Sequence, residues 1–271
     1  GNDGQATKAE YSTDDANFSK VNSLQLFVFD GDVLDVYSKV ENKKSVTLTC
    51  RQGAKKVFAL VNAPELSNIK SLSQLKGVIT KLSDNTSQFV MVGSKDDVVV
   101  PSADPIEVAV KRVVARVALK KITVAFTNSA YPGSGAKIKK VFLSNVPTNT
   151  NLDLSMAPTA WVNKMGFSAS DAPQSLISDT NEYDLGTSVY PNYFYSYPNP
   201  TVADTKGGSW SARHTRLVVE TLIDGGTYYY PITLPVLESG KSYEIENLTL
   251  TRLGSTTPDQ PVELSDATFE I

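Results

Sequence analysis

The run from Ile106 to Phe126 alternates apolar with other residues and twice loses its phase. Ile106, Val108 and Val110 form the first apolar set. Val113, Ala115, Val117 and Leu119 form the second, displaced by one residue, and Ile122, Val124 and Phe126 resume after Lys120-Lys121. A one-residue slip turns every following side chain to the opposite face of a sheet. Two slips in one long run mean bulges, or a strand that leaves one sheet to enter another. The run therefore predicts a domain boundary near 120–127. It divides the chain into a flexible N-terminal arm (1–20), a first β-sandwich domain (21–124) and a second (125–271).

The remaining pattern is also that of strands. Leu24, Leu26 and Val28 interleave with Gln25, Phe27 and Phe29, so both faces are largely apolar, as in a central buried strand. Asp30-Gly31-Asp32 reads as the turn into a return strand, Val33–Tyr37. Val46-Thr47-Leu48-Thr49-Cys50 alternates and puts Cys50 on the core side. Further strands are expected at Val57–Val61, Phe89–Val92, Val98–Val100, Ile138–Val146, Tyr243–Arg252 and Val262–Ile271. Arg216–Ile223 and Tyr228–Leu234 flank Asp224-Gly225-Gly226-Thr227 as a hairpin. One short helix is expected where Leu72, Leu75, Val78/Ile79 and Leu82 recur behind a Ser71/Gln74 capping box. The fold class is all-β with that one helix, built as two sandwiches in tandem.

The counts of reactive side chains exclude several chemistries. The chain has 271 residues, a single His (His214) and a single Cys (Cys50). A zinc site of several His and Cys ligands and an intrachain disulfide are both excluded. The net charge of −3 argues against a duplex-DNA binder, which carries a basic face. No apolar stretch approaches the roughly 18 residues of a membrane-spanning helix. The chain begins Gly1-Asn2-Asp3-Gly4, without Met or an apolar leader, and so reads as a processed or recombinant form.

No local pattern marks catalysis or a cofactor. Gly133-Ser134-Gly135-Ala136-Lys137 lacks phosphate-loop spacing, and Asp30-Gly31-Asp32 lacks the further ligands of a calcium loop. There is no nucleophile elbow and no marked carboxylate pair. His214 lies between Arg213 and Arg216, cations that lower its pKa, and reads as a surface residue. The tyrosines around Tyr193, Tyr195 and Tyr197 are either core anchors or exposed rings able to stack on sugars. Tyr228-Tyr229-Tyr230 sends at least one ring to each side of its strand.

The order of several segments resembles the fimbrillins, the type V pilins of Bacteroides-type bacteria. Ser19–Gly31 is similar to their first retained strand and turn, Ala59-Leu60-Val61-Asn62-Ala63 to their strand ending in an Asn turn, and Val110–Val117 to their domain-linking strand. In the second half, Tyr195–Asn199, Thr215–Glu220, Tyr229–Ile232 and Leu248–Thr251, with Gly254-Ser255 and Pro258-Asp259, carry the likeness to the end of the chain.

The resemblance implies two transthyretin-like sandwiches, no enzymatic activity and no cofactor. It also implies an outer-membrane lipoprotein precursor, trimmed by a trypsin-like protease and assembled with other fimbrial subunits at the cell surface. Host or bacterial surface receptors are further implied partners; nucleic acid is not. In the family, trimming removes a strand and opens an apolar groove that a strand of another subunit fills. The incoming strand satisfies bare backbone groups and an exposed apolar face together. Lys8 is the candidate processing site, and Leu24, Leu26 and Val28 the candidate groove lining. Val262, Leu264, Ala267, Phe269 and Ile271 form the candidate donor strand, although family members run on to a Trp-containing end and this sequence stops at Ile271. The alternative is a surface lipoprotein that binds carbohydrate through exposed Tyr193, Tyr195 and Tyr197 without polymerising.

Overall fold

A computed structural model describes residues 7–10, 19–127, 130, 136–185, 189–201, 213–260, 262 and 264–270. The first half runs β1 (Thr7–Glu10), β2 (Ser23–Asp30), β3 (Val33–Glu41), β4 (Gly53–Val61), α1 (Leu72–Lys76), β5 (Ile79–Lys81), β6 (Met91–Val100) and β7 (Lys111–Arg112). Next come β8 (Ala115–Val124), β9 (Lys137–Ser144), β10 (Val146–Pro147), β11 (Asn149–Asn151), β12 (Trp161–Val162), α2 (Gln174–Ile177), β13 (Ser178–Asp179) and β14 (Tyr183–Asp184). The chain continues through β15 (Val189–Ser196), β16 (Arg216–Ile223), β17 (Gly226–Thr233), β18 (Lys241–Ile245) and β19 (Leu248–Leu250).

The first half is one sheet in the order β3-β2-β4-β6-β7. The second half has two principal sheets, β1-β18-β8-β15 with β19 also on β8, and β13-β9-β16-β17 with β14 also on β9. The phase slip at Arg112 is where the chain changes sheet. Arg112 still pairs with Met91 in the first sheet, whereas Ala115 pairs with Ser196 in the second half. The crossing thus falls at Val113–Val114, ahead of the expected 124/125 boundary, and all of β8 belongs with the second half. Its neighbours β18 and β19 run parallel to it.

Odd-numbered residues of β2 face the main core. Phe27 and Phe29 are buried there with Phe58, Leu60, Leu72, Leu75 and Leu82, and the cluster continues through Val117 and Leu119 to Val141, Leu143, Leu217 and Tyr243. The two halves are also tied by a small sheet of β5 with β11. At the same seam the Tyr197 hydroxyl meets Thr80 Oγ1 at 2.6 Å, accepts from Asn85 Nδ2 at 3.0 Å and donates to the Lys81 carbonyl at 2.9 Å.

Three expectations are corrected. The helix starts as expected, with Ser71 Oγ accepting from the Gln74 amide, but it ends at Gly77. The β-branched Val78, Ile79 and Thr80 that follow favour a strand, β5, over more helix. A second short helix, α2, lies in the loop-rich part of the second half. Finally, Val262 and residues 264–270 form no strand among the described residues. The arm is not wholly free either, since Thr7–Glu10 pairs antiparallel with β18.

Candidate functional site

The even-numbered residues of β2 face away from the main core. On this outer face Leu24 packs with Ala59, Val61 and Met91, and Val28 packs with Val57 and Val98. A sandwich would cover such a face with a second sheet. Here the cover is two extended runs, 43–52 and 101–110, and neither is laddered to a strand among the described residues.

The first run brings Val46, Leu48 and Cys50, each half-buried, down onto this face, while Thr47 and Thr49 point out. The expected alternation is therefore correct, and Cys50 is turned to an apolar face, but the run is not a strand. Its end is held over β3, where the Arg51 amide donates to Asp35 Oδ2 at 2.8 Å. Asp35 is the extra residue of a bulge, because Val28 pairs with Val36 and Phe29 with Leu34. A bulge re-aims a side chain, and this one brings Asp35 to Lys55. Lys55 Nζ lies 3.1 Å from Asp35 Oδ2 and also contacts Asp30, with its side chain fully buried. The Arg51 amide, against some desolvation, and the Lys55 ammonium hold the Asp35 carboxyl below the usual carboxylate value.

The second run is seated on β6. A Cβ built on Gly93 would stand 1.9 Å from the Ala109 carbonyl oxygen and 3.0 Å from Val110 Cα. Only a residue without a side chain lets this backbone approach so closely. From this run Val108 reaches both apolar clusters.

Leu26 sits mid-strand in β2, with paired strands on both sides, and is half-buried against both outer clusters, while Leu24 and Val28 at either side of it are buried. β3 and β6 are three strand spacings apart, about 14 Å, and a strand lying between two neighbours needs about 10 Å. Among the described residues, the outer face is thus covered by two runs and not by a second sheet. Leu24, Leu26 and Val28, expected from the sequence as groove lining, lie together on this outer face.

The other chosen residues lie elsewhere. Lys8 is in β1, its backbone paired with Tyr243. Val262, Leu264 and Phe269 are exposed by 43%, 56% and 87%. Ala267 is exposed as well, and Ile271 is outside the described residues. Tyr195 and Tyr197 are buried, and Tyr195 packs on Phe89 with ring centroids 4.9 Å apart. The half-buried Tyr193 has the Arg116 guanidinium 4.7 Å and the Lys120 ammonium 5.3 Å from its ring centroid. The rings therefore form no free stacking platform for a sugar. His214, expected at the surface, is buried, with Nδ1 2.8 Å from the Thr201 carbonyl and Nε2 2.6 Å from the Leu234 carbonyl. Desolvation lowers its pKa first, these bonds oppose it, and Arg216 adds to the lowering.

Reading the sequence alone missed Asn62. Its φ is +58° and its side chain is fully buried. Oδ1 accepts from the Asn22 and Ser23 amides, and Nδ2 donates to the Lys20 and Phe89 carbonyls. The Asn-Ala-Pro turn was visible, but those partners lie too far along the chain to be read from it.

These features define a β-sandwich fold of the fimbrilin type. A candidate cell adhesion protein from Bacteroides eggerthii superposes with a TM-score of 0.69 at 18% identity, covering 92% of this chain and 87% of its own. The fimbrilin FimA of Porphyromonas gingivalis superposes with a TM-score of 0.63 at 16% identity, covering 96% and 93%. The tip fimbrial protein Mfa3 of Porphyromonas gingivalis, truncated at its C-terminus, gives 0.51 at 15% identity, covering 84% and 80%. At such identities the likeness establishes the fold and nothing finer. No protein-family model and no curated protein matches the chain.

Proposed function

We propose that this chain is a structural and adhesive subunit of a bacterial surface fimbria, assembling by donor-strand exchange. The observation that carries the reading is the apolar outer face of Leu24, Leu26 and Val28, covered by two runs that are laddered to no strand among the described residues. A strand inserted between them would bury the floor and pair with both, as in β-augmentation. The segment from Val262 to Glu270 is the donor we assign. Its apolar side chains are exposed, and its nine residues span about 30 Å when extended, the length of a β2-sized floor.

In this reading the partners are other copies of the chain or related subunits, and the role is mechanical, without catalysis. The precursor is an outer-membrane lipoprotein, and a trypsin-like protease cutting after Lys8 would shorten the arm and split β1. Fimbrial proteins among the chains of this fold support the reading.

The test uses native surface extracts and antibody to this chain. Unheated SDS gels should show a ladder that boiling collapses to monomer, and electron microscopy should show labelled filaments. A monomer band under both conditions, with no labelled filaments, would overturn the polymerising role.

A further inference from the structure

We propose that the two walls of the groove differ in mobility: the run 46–51 is a movable wall, and Asp35 is its latch. The inference rests on the donor-strand reading for its purpose, not for its geometry.

The 101–110 wall is set by backbone packed on backbone, Ala109 over Gly93, and cannot swing without lifting off the sheet. The 46–51 wall has no such seat. Among the described residues, it packs on the floor through Val46, Leu48 and Cys50, and it is framed by Asn42 at φ +53° and Gly53 at φ +118°. Such residues at the ends of a segment can absorb a backbone rotation. Between them, among the described residues, Asp35 anchors the backbone of the run by accepting from the Arg51 amide, and its other contacts are Lys55 and the Arg51 side chain at 3.8 Å. Lys55 keeps Asp30 as a second partner, so the latch can release without leaving a bare buried cation. An arriving strand then takes the fixed wall as its template, and the light wall shifts to pair along its other edge, covering Cys50.

Cys50 is a natural reporter, because it is the chain's one thiol and its side chain packs under the movable wall. The measurement is the rate of Cys50 alkylation by iodoacetamide in the full chain under native conditions. Asp35→Ala should raise the rate about fivefold to tenfold. Asp35→Asn, which keeps an acceptor for the Arg51 amide, should fall between that and the parent. Tyr197→Phe, which loosens the seam between the halves, should leave the rate unchanged. No acceleration in Asp35→Ala, or equal acceleration in Tyr197→Phe, overturns the latch. Adding a synthetic peptide of residues 262–270 should slow alkylation in every variant. If Asp35→Ala accelerates but the peptide protects none of them, the latch stands and the donor reading falls.

Discussion

The carbonyl oxygen of Ala109 occupies the space that a side chain on Gly93 would need, 1.9 Å from the ideal Cβ position. Glycine inside a strand costs stability unless something approaches it closely, and here the approach seats one wall of the groove. Gly93→Ala should push residues 108–110 off β6 and part Val108 from both apolar clusters. We expect a loss of about 1–3 kcal/mol in chemical unfolding, the usual cost of overpacking. Assembly should fall by more than that loss explains, because the fixed wall is displaced. Unfolding curves and unheated gels on the same preparation check both.

Asn62 joins three stretches of the first half through four buried hydrogen bonds while holding a positive φ. Asn62→Ala strands two amides and two carbonyls, and it places a side chain that disfavours φ > 0 at +58°. The expected loss is about 2–4 kcal/mol. Urea unfolding followed by near-UV circular dichroism measures it, and a change below about 0.5 kcal/mol would contradict the assignment.

Tyr197 crosses the seam between the halves, and burial keeps its phenol protonated well above the usual range. Tyr197→Phe keeps the ring and removes the hydroxyl that Thr80, Lys81 and Asn85 share. It should cost about 1–2 kcal/mol, because the buried Thr80 hydroxyl loses its partner while Asn85 keeps its bonds to the Lys81 and Leu82 carbonyls. Proteolysis near residues 80–85 should become faster, with mass spectrometry locating the cut.

His214 gives a pH dependence of known sign. Its folded pKa is lowered from 6.5, so the unfolded chain binds a proton that the folded chain resists. The stability it contributes is present above pH 6.5 and is lost as pH falls below it. Thermal unfolding between pH 7.5 and pH 5.5 should show a steeper loss in the parent than in His214→Gln. Parallel curves would contradict the buried, neutral imidazole.

The strands were legible wherever a local pattern decides. Ser71 and Gln74 marked the helix start, and the hairpin of β16 and β17 carried its own turn residues, whereas of the two phase slips it is the earlier one, at Arg112, that changes sheet, not the later one near 120–127 where the boundary was expected. Val46–Cys50 showed the right alternation and the wrong structure, because a ladder depends on a neighbouring strand that spacing does not reveal. His214 was misplaced since flanking arginines suggest a surface, whereas carbonyls of Thr201 and Leu234 bury it from afar. Leu24, Leu26 and Val28 were read as one apolar face, and they share that face in the structure. Its walls, the Gly93 seat and the Asp35 bulge all come from pairings remote in sequence, which a single chain read from end to end does not display.

The central claim is that the segment 262–270 of one copy lies in the groove of another, and Cys50 allows that to be tested directly. Single cysteines placed at Val262, Leu264, Ala267 and Phe269 would be assembled under mild oxidation and run unreduced. The account predicts that at least one position gives a disulfide-linked ladder with Cys50, collapsed by reductant and abolished by Cys50→Ser. Assembly that proceeds with no ladder from any of the four positions would contradict it.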